Sequence, residues 1–142
     1  SFCEAVQRDQ SDRHAYAALA KSLQALQATT EAEAVLQRAA LIEKSQLLGA
    51  EMAESQVRDY AKMSLLIDTL DQLKRPLEAL SWRGVRLAYR RANGSLSESQ
   101  AQQVFTEIIQ TRSELLKSNQ SHATRQFLLC GVDPDTWESS DP

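Results

Sequence analysis

The 142-residue sequence contains few of the residues that break helices or form disulfides. It has four glycines, three prolines and two cysteines, and aromatic residues make up 6% of the chain. These shortages exclude collagen-like, Pro/Gly-rich and disulfide-dense proteins. The scarcity of aromatic residues and of β-branched runs argues against a β-sandwich or barrel. The composition instead predicts an all-α chain, with one helical domain over residues 1–131 and an acidic C-terminal tail over residues 132–142.

Signals of a membrane-spanning or disulfide-bonded chain are also scarce. No apolar run reaches the roughly 18 residues that a transmembrane helix requires. Cys3 and Cys130 stand near opposite ends of the sequence without a CxxC pair, which favours free thiols and a cytoplasmic location. The formal net charge of −3 argues against a globally basic nucleic-acid-binding protein.

The apolar periodicity of the first half predicts one helix followed by a very long one. Ser11 or Asp12 is suited to cap the first of these helices. Thr30 and Glu33 have the spacing of a capping box at the start of the second. Because no helix breaker follows before Pro76, we expect a single rod of about 44 residues.

The second half predicts further helices joined by tight turns. Pro76 either kinks the long rod or starts a new helix. The Asn93-Gly94 pair supplies a stop. Ser95 and Glu98 then have capping-box spacing and predict a last long helix that ends near Gly131.

An elongated antiparallel bundle is the architecture that these helices predict. Short connections force neighbouring helices to run in opposite directions, so we expect three to four helices, two of them very long, packed in a coiled-coil-like manner. The expected helix-packing stripe contains Leu41, Leu48, Met52, Tyr60, Met63, Leu66, Leu70, Val104, Phe105, Ile108 and Leu115.

Residue patterns typical of catalysis or metal binding are absent from the sequence. His14 and His122 are the only histidines, and neither follows a glutamate at the spacing found in helical di-iron sites. No HExxH, GxSxG or glycine-rich phosphate-loop motif occurs. We therefore expect a non-enzymatic protein with no catalytic residues, no cofactor and no metal.

One segment departs from the acidic balance of the chain. Between residues 74 and 91, six cationic side chains are opposed only by Glu78. Arg83, Arg86 and Arg90 have the spacing that places them on one helical face. The segment is either a solvated face that pairs with carboxylates of a neighbouring helix or a contact for an anionic surface such as phospholipid. The candidate contact residues are Lys74, Arg75, Arg83, Arg86, Arg90 and Arg91.

The sequence resembles the BAR-type helical domain of sorting nexins. Residues 18–26, with the sequence ALAKSLQAL, are similar to the first helix of that family, and Leu41-Ile42-Glu43-Lys44 and Asp59-Tyr60 are similar to parts of its second helix. Pro76, the cationic segment and Asn93-Gly94 match its kink, its basic helix tip and its turn. The resemblance implies an antiparallel helical dimer on curved, anionic endosomal membranes, with the six cationic residues facing the lipid.

A non-enzymatic scaffold or adaptor that acts through helix–helix association is the function these features favour. Long helices bury little surface against themselves, so a protein partner or a second copy would cover the remaining apolar residues. A trafficking module that binds anionic lipid is the more specific form. The alternatives are a soluble protein-interaction bundle with no membrane role and a secreted cytokine-like ligand. Nucleic acid is not expected as a partner.

Overall fold

The computed structural model describes Phe2, Ala5, Val6, Asp9 and residues 11–54 and 59–117. These residues contain no strand, which confirms the all-α prediction for that part of the chain. They form two compact units, one with the residues up to Lys44 and one with those from Ser45. The helices are α1 (Arg13–Ala25), α2 (Thr29–Glu54), α3 (Tyr60–Gln72), α4 (Pro76–Ala92) and α5 (Glu98–Lys117).

The first unit is organised by α1 and the first part of α2. Asp12 caps α1, as predicted, by accepting hydrogen bonds from the backbone N–H groups of His14 and Ala15 at 2.9 and 3.1 Å. Two contacts join α1 to α2, an ion pair between Arg13 and Glu43 and a hydrogen bond between Arg38 and Tyr16. The buried residues of the first unit are Val6, Ala15, Tyr16, Leu19, Ala20, Ala32, Val35, Arg38 and Ile42.

Asp59 divides the single long rod that the sequence predicts. Its backbone is extended, and its side chain accepts a hydrogen bond from the Lys62 N–H at 3.0 Å. Asp59 is therefore the N-cap of α3, and the prediction of one continuous helix up to Pro76 is wrong. The physical reason is local, because an aspartate side chain satisfies an N–H group that the start of a helix leaves without an intrahelical partner.

Neither of the two predicted capping boxes occupies the N-terminal capping position of its helix. Thr30 lies within α2, because the Ala28 carbonyl already accepts from the Ala32 N–H at 3.0 Å. At the start of α5 the reciprocal pair is Ser97 and Gln100, not Ser95 and Glu98. The Gln100 N–H donates to Ser97 Oγ at 3.2 Å, and the Ser97 N–H donates to Gln100 Oε1 at 3.0 Å.

Three helices end in the same hydrogen-bond pattern. Gln27, Lys74 and Gly94 follow α1, α3 and α4, and each has a positive φ, of 60°, 60° and 76°. The N–H group after each residue reaches back to a carbonyl of the last helical turn, which is the Schellman motif. These bonds join Ala28 to Leu23 at 2.9 Å, Arg75 to Leu70 at 3.0 Å and Ser95 to Arg90 at 3.0 Å. These bonds satisfy a carbonyl of the last turn at each helix end, and two of the three ends lack glycine.

The second unit places α4 between α3 and α5. Pro76 starts α4 at its first turn, where a missing N–H costs nothing, so it begins a helix and does not kink one. α4 packs against both α3 and α5. Part of the core is formed by Leu48, Leu66, Ile67, Leu70 and Ala79, with Trp82 packed against it.

The predicted packing stripe is buried to different degrees. Leu48, Met63, Leu66 and Leu70 are buried. The partly exposed members are Leu41, Met52, Tyr60, Val104, Ile108 and Leu115. Phe105 is 52% exposed, so the described part of the chain leaves about half of it uncovered. The predicted course of the last helix beyond Lys117, the acidic tail, Cys3, Cys130 and His122 lie outside the described residues.

Candidate functional site: two grooves of the α4–α5 hairpin

The α4–α5 hairpin is fixed at its turn by polar contacts. Arg91 donates to both carboxylate oxygens of Glu98, from Nη2 at 2.5 Å and from Nε at 3.1 Å. Asn93 Nδ2 donates to the hydroxyl of Tyr60 at 2.6 Å, which ties the turn to the start of α3. The hairpin is thus held at the end where Asn93-Gly94 was expected to stop the helix.

Two grooves run between α4 and α5. Leu87 and Ile108 line both of them, so these two side chains form the partition. The arginine groove has a volume of about 330 Å³ and is lined by Leu80, Arg83, Arg86, Leu87, Arg90, Leu96, Val104, Glu107, Ile108 and Thr111. The apolar groove has a volume of about 360 Å³ and is lined by Gly84, Leu87, Ala88, Arg91, Ala101, Gln102, Phe105 and Ile108.

The arginine groove brings together three of the six predicted contact residues. Arg83 Nη2 donates to Asp71 Oδ2 at 2.6 Å, so its charge is matched by a carboxylate of α3. Arg86 Nη1 donates to the neutral hydroxyl of Ser64 at 2.9 Å. Arg90 is exposed, and it forms no ion pair with the part of the chain that the structure describes. The three guanidinium groups therefore differ in how far their charge is already compensated.

The other three cationic residues lie elsewhere. Lys74 is exposed in the turn before α4. Arg75 occupies the N-cap position of α4 and pairs with Glu78. Arg91 lines the apolar groove and is held by Glu98. The structure therefore divides the cationic segment among three places, and carboxylates pair with Arg75, Arg83 and Arg91.

The apolar residues of α5 form two rows, which the predicted stripe joined into one by placing Phe105 with Val104 and Ile108. Ala101, Val104, Ile108 and Leu115 are buried or partly exposed. One position further along the helix, Phe105, Ile109 and Leu116 are 52%, 49% and 46% exposed. Both rows have heptad-like spacing, so the offset of one residue was the signal that α5 carries two apolar seams.

Gly84 adds to the openness of the apolar groove. A Cβ atom at this position would meet no other atom of the described residues within 4 Å. Ala88 follows one turn later and also lines the groove. The small side chains of α4 therefore leave room beside Phe105 for another backbone to approach closely.

The described residues show few features of a catalytic, metal-binding or membrane-spanning site. His14 is exposed. Among the described residues, no cluster of three or more His, Cys, Asp or Glu side chains could hold a metal ion. Within residues 11–54 and 59–117, no helix has the length and apolarity needed to cross a bilayer.

Comparisons with protein families, with curated proteins and with solved structures find no match to this chain.

Proposed function

We propose that this protein is a non-enzymatic helical scaffold that associates with another helix through one face of its α4–α5 hairpin. This docking face consists of Gly84, Ala88, Phe105, Ile109 and Leu116. The observation that carries the proposal is the exposed apolar row of α5, which lies beside the row facing α4. The antiparallel, coiled-coil-like arrangement predicted from the sequence is part of the same proposal.

Burial of the docking face contributes favourable free energy to association. Complete burial of a large apolar side chain stabilises by about 1.5–3 kcal/mol. Phe105, Ile109 and Leu116 are each about half exposed, so covering them gains roughly 1 kcal/mol per residue. The apolar lining of the groove adds to this gain. Exposed apolar side chains on one helix face are typical of protein interaction sites.

The helix-destabilising effect of Gly84 also supports docking at this face. A glycine inside a helix destabilises it by about 0.5–1 kcal/mol relative to alanine. The fold itself has space for a Cβ atom there, so internal packing does not require the glycine. The space at Gly84 is therefore available to a partner helix, as the proposal requires.

A second copy of the chain is the partner that the docking face suits best. The exposed residues around the apolar row are largely uncharged, including Gln102, Thr106, Gln110 and Ser113. Two copies therefore meet without strong repulsion. Arg112 lies in the row, and a parallel in-register pair would bring two Arg112 side chains together. An antiparallel pair avoids this contact and allows Phe105 to face Leu116 of the other copy.

Sedimentation equilibrium of the full chain tests this proposal. We expect a concentration-dependent dimer, and we expect both Ile109→Glu and Gly84→Leu to shift it to a monomer. Gly49→Leu is the matched control for the glycine, because Gly49 also has open space and lies in α2. A monomer at all concentrations of the unmodified chain contradicts the proposal, as does equal dissociation by the Gly49 and Gly84 variants.

The membrane-associated alternative, with its resemblance to sorting nexin BAR-type domains, remains a separate proposal. Lys74 and Arg90 support it, because they are exposed cations without an ion pair in the described part of the chain. The pairing of Arg75, Arg83 and Arg91 with carboxylates weakens it, since a paired charge contributes less to attraction by an anionic surface. Vesicle binding by the full chain tests this alternative.

A further inference from the structure

The arginine groove is both cationic and apolar, so a ligand must match both properties. Its α4 wall carries Arg83, Arg86 and Arg90, which extend over about 10 Å along the helix. Its base is apolar. The apolar lining residues are Leu80, Leu87, Leu96, Val104 and Ile108. A simple inorganic anion would pair with the arginines but would leave the apolar lining exposed to water.

The charge of the groove is incompletely compensated. Asp71 matches Arg83, and Glu107 on the α5 wall is the single acidic residue of the lining. Arg86 donates to a neutral hydroxyl, and Arg90 has no carboxylate partner in the described part of the chain. The wall therefore offers charge-assisted hydrogen bonds to carboxylates spaced at three to four residues.

We infer that the arginine groove binds an acidic amphipathic helix of a partner protein. The apolar side chains of that helix contact Leu80, Leu87 and Ile108. Its carboxylates, which recur one helical turn apart along one edge, pair with Arg86 and Arg90. A helix that lies in an apolar groove with complementary charges at the rim is a recurrent mode of peptide recognition.

The shape and charge of the groove favour such a helix over a phospholipid surface. A bilayer is flat and attracts charges that protrude from a protein, whereas these arginines line a concave groove. Arg83 is already held by Asp71, and Glu107 on the opposite wall would repel a phosphate. A partner helix can lie over the groove, insert side chains into it and place neutral residues near Glu107. The inference does not depend on the docking face, because Arg86 and Arg90 are not part of it.

Fluorescence anisotropy with the full chain and synthetic peptides tests the inference. The probe is a fluorescein-labelled helical peptide of about 15 residues with a leucine stripe flanked by a row of glutamates. One matched peptide has glutamine for each glutamate, and another has serine for each leucine. We expect the probe to bind at least about tenfold more tightly than either matched peptide.

Protein variants locate the binding site. We expect Arg90→Gln to weaken probe binding by about fivefold and the Arg86→Gln/Arg90→Gln pair by about tenfold or more. Lys44→Gln also removes one positive charge, from an exposed site of α2 that lines neither groove, so it should leave the affinity unchanged. Circular dichroism melting shows whether each variant remains folded.

Several results would overturn the inference. Equal binding of the glutamate and glutamine peptides would show that carboxylates are not recognised. An equal effect of Lys44→Gln and Arg90→Gln would show that only net charge matters. Binding to phosphatidylserine vesicles that depends on Arg90, without binding of the peptide, would assign the groove to the membrane. Dimerisation through the docking face is measured separately, so failure of one idea is distinguishable from failure of the other.

Discussion

Arg38 lies against the ring of Tyr16 in the first unit. The guanidinium carbon is 5.5 Å from the ring centroid, and Arg38 Nε donates to the Tyr16 hydroxyl at 3.2 Å. Arg38 is 5% exposed and Tyr16 is 1% exposed. A cationic side chain inside the core is therefore stabilised in part by the face and the oxygen of a single aromatic residue.

We predict that Tyr16→Phe lowers the free energy of unfolding by about 1–3 kcal/mol. The variant keeps the ring but removes the acceptor of a buried hydrogen bond from a charged donor. Urea unfolding followed by circular dichroism measures the change. Tyr60→Phe is the control, because its hydroxyl accepts from Asn93 at an exposed site and its loss should cost less. Equal losses for the two variants would contradict the importance of the Arg38 contact.

The same tyrosine predicts a loss of stability at alkaline pH. Burial raises the pKa of Tyr16 above its ordinary value of 10.0, and the charge of Arg38 only partly opposes this shift. The folded chain keeps the phenol proton at pH values where the unfolded chain loses it. This contribution is fully present below about pH 10 and disappears as the pH rises through the raised pKa. The free energy of unfolding, plotted against pH across this range, should fall more steeply for the unmodified chain than for Tyr16→Phe. Parallel plots for the two proteins would contradict the raised pKa of Tyr16.

Glycine should stabilise the fold at a helix end where the backbone has a positive φ. Lys74 has φ of 60° in the turn after α3, a conformation that costs a non-glycine residue about 1–2 kcal/mol. Glycine gives back part of this gain, because it loses more backbone entropy on folding. We therefore expect Lys74→Gly to raise the free energy of unfolding by about 0.5–1 kcal/mol, as measured by thermal or urea unfolding. Lys74→Ala removes the same charge but keeps the backbone cost, so it should give no such gain. The left-handed geometry would be contradicted if alanine and glycine were equivalent.

The start of α5 gives a prediction that distinguishes two serines. Ser97→Ala removes the acceptor of the Gln100 N–H and should destabilise the chain by about 1 kcal/mol. Ser95→Ala should cost less, because the Ser95 side chain bonds to Asn93 outside the helix. Thermal unfolding of both variants checks this order. A larger loss for Ser95→Ala would instead support the capping box expected from the sequence.

Local sequence patterns predicted several helix boundaries and missed others for identifiable reasons. Asp12 was found because a capping residue there precedes a clear apolar stripe. Ser95 and Ser97 both fit the spacing of a capping box. The choice between them depends on the preceding turn, in which the Ser95 N–H already closes the end of α4. Asp59 was missed because helical periodicity continues on both sides of it.

The sequence identified the cationic segment that lines the arginine groove, but not its arrangement and not the docking face. The cationic segment was evident from composition, and the helical spacing of Arg83, Arg86 and Arg90 correctly indicated a shared face. The contacts with Asp71 and Ser64 could not be predicted, because they depend on how α3 lies against α4. Arg38 was also missed, although its spacing from Val35 and Ile42 places it on the buried row of α2.

The sequence by itself determined that this chain is helical, because scarce helix breakers and apolar periodicity act within each segment. It also determined which residues share a helical face. Only the tertiary structure decided which of the two apolar rows of α5 packs against α4 and which remains exposed. The physical reason is that periodicity defines the faces of a helix, whereas burial depends on which neighbouring helix covers each face.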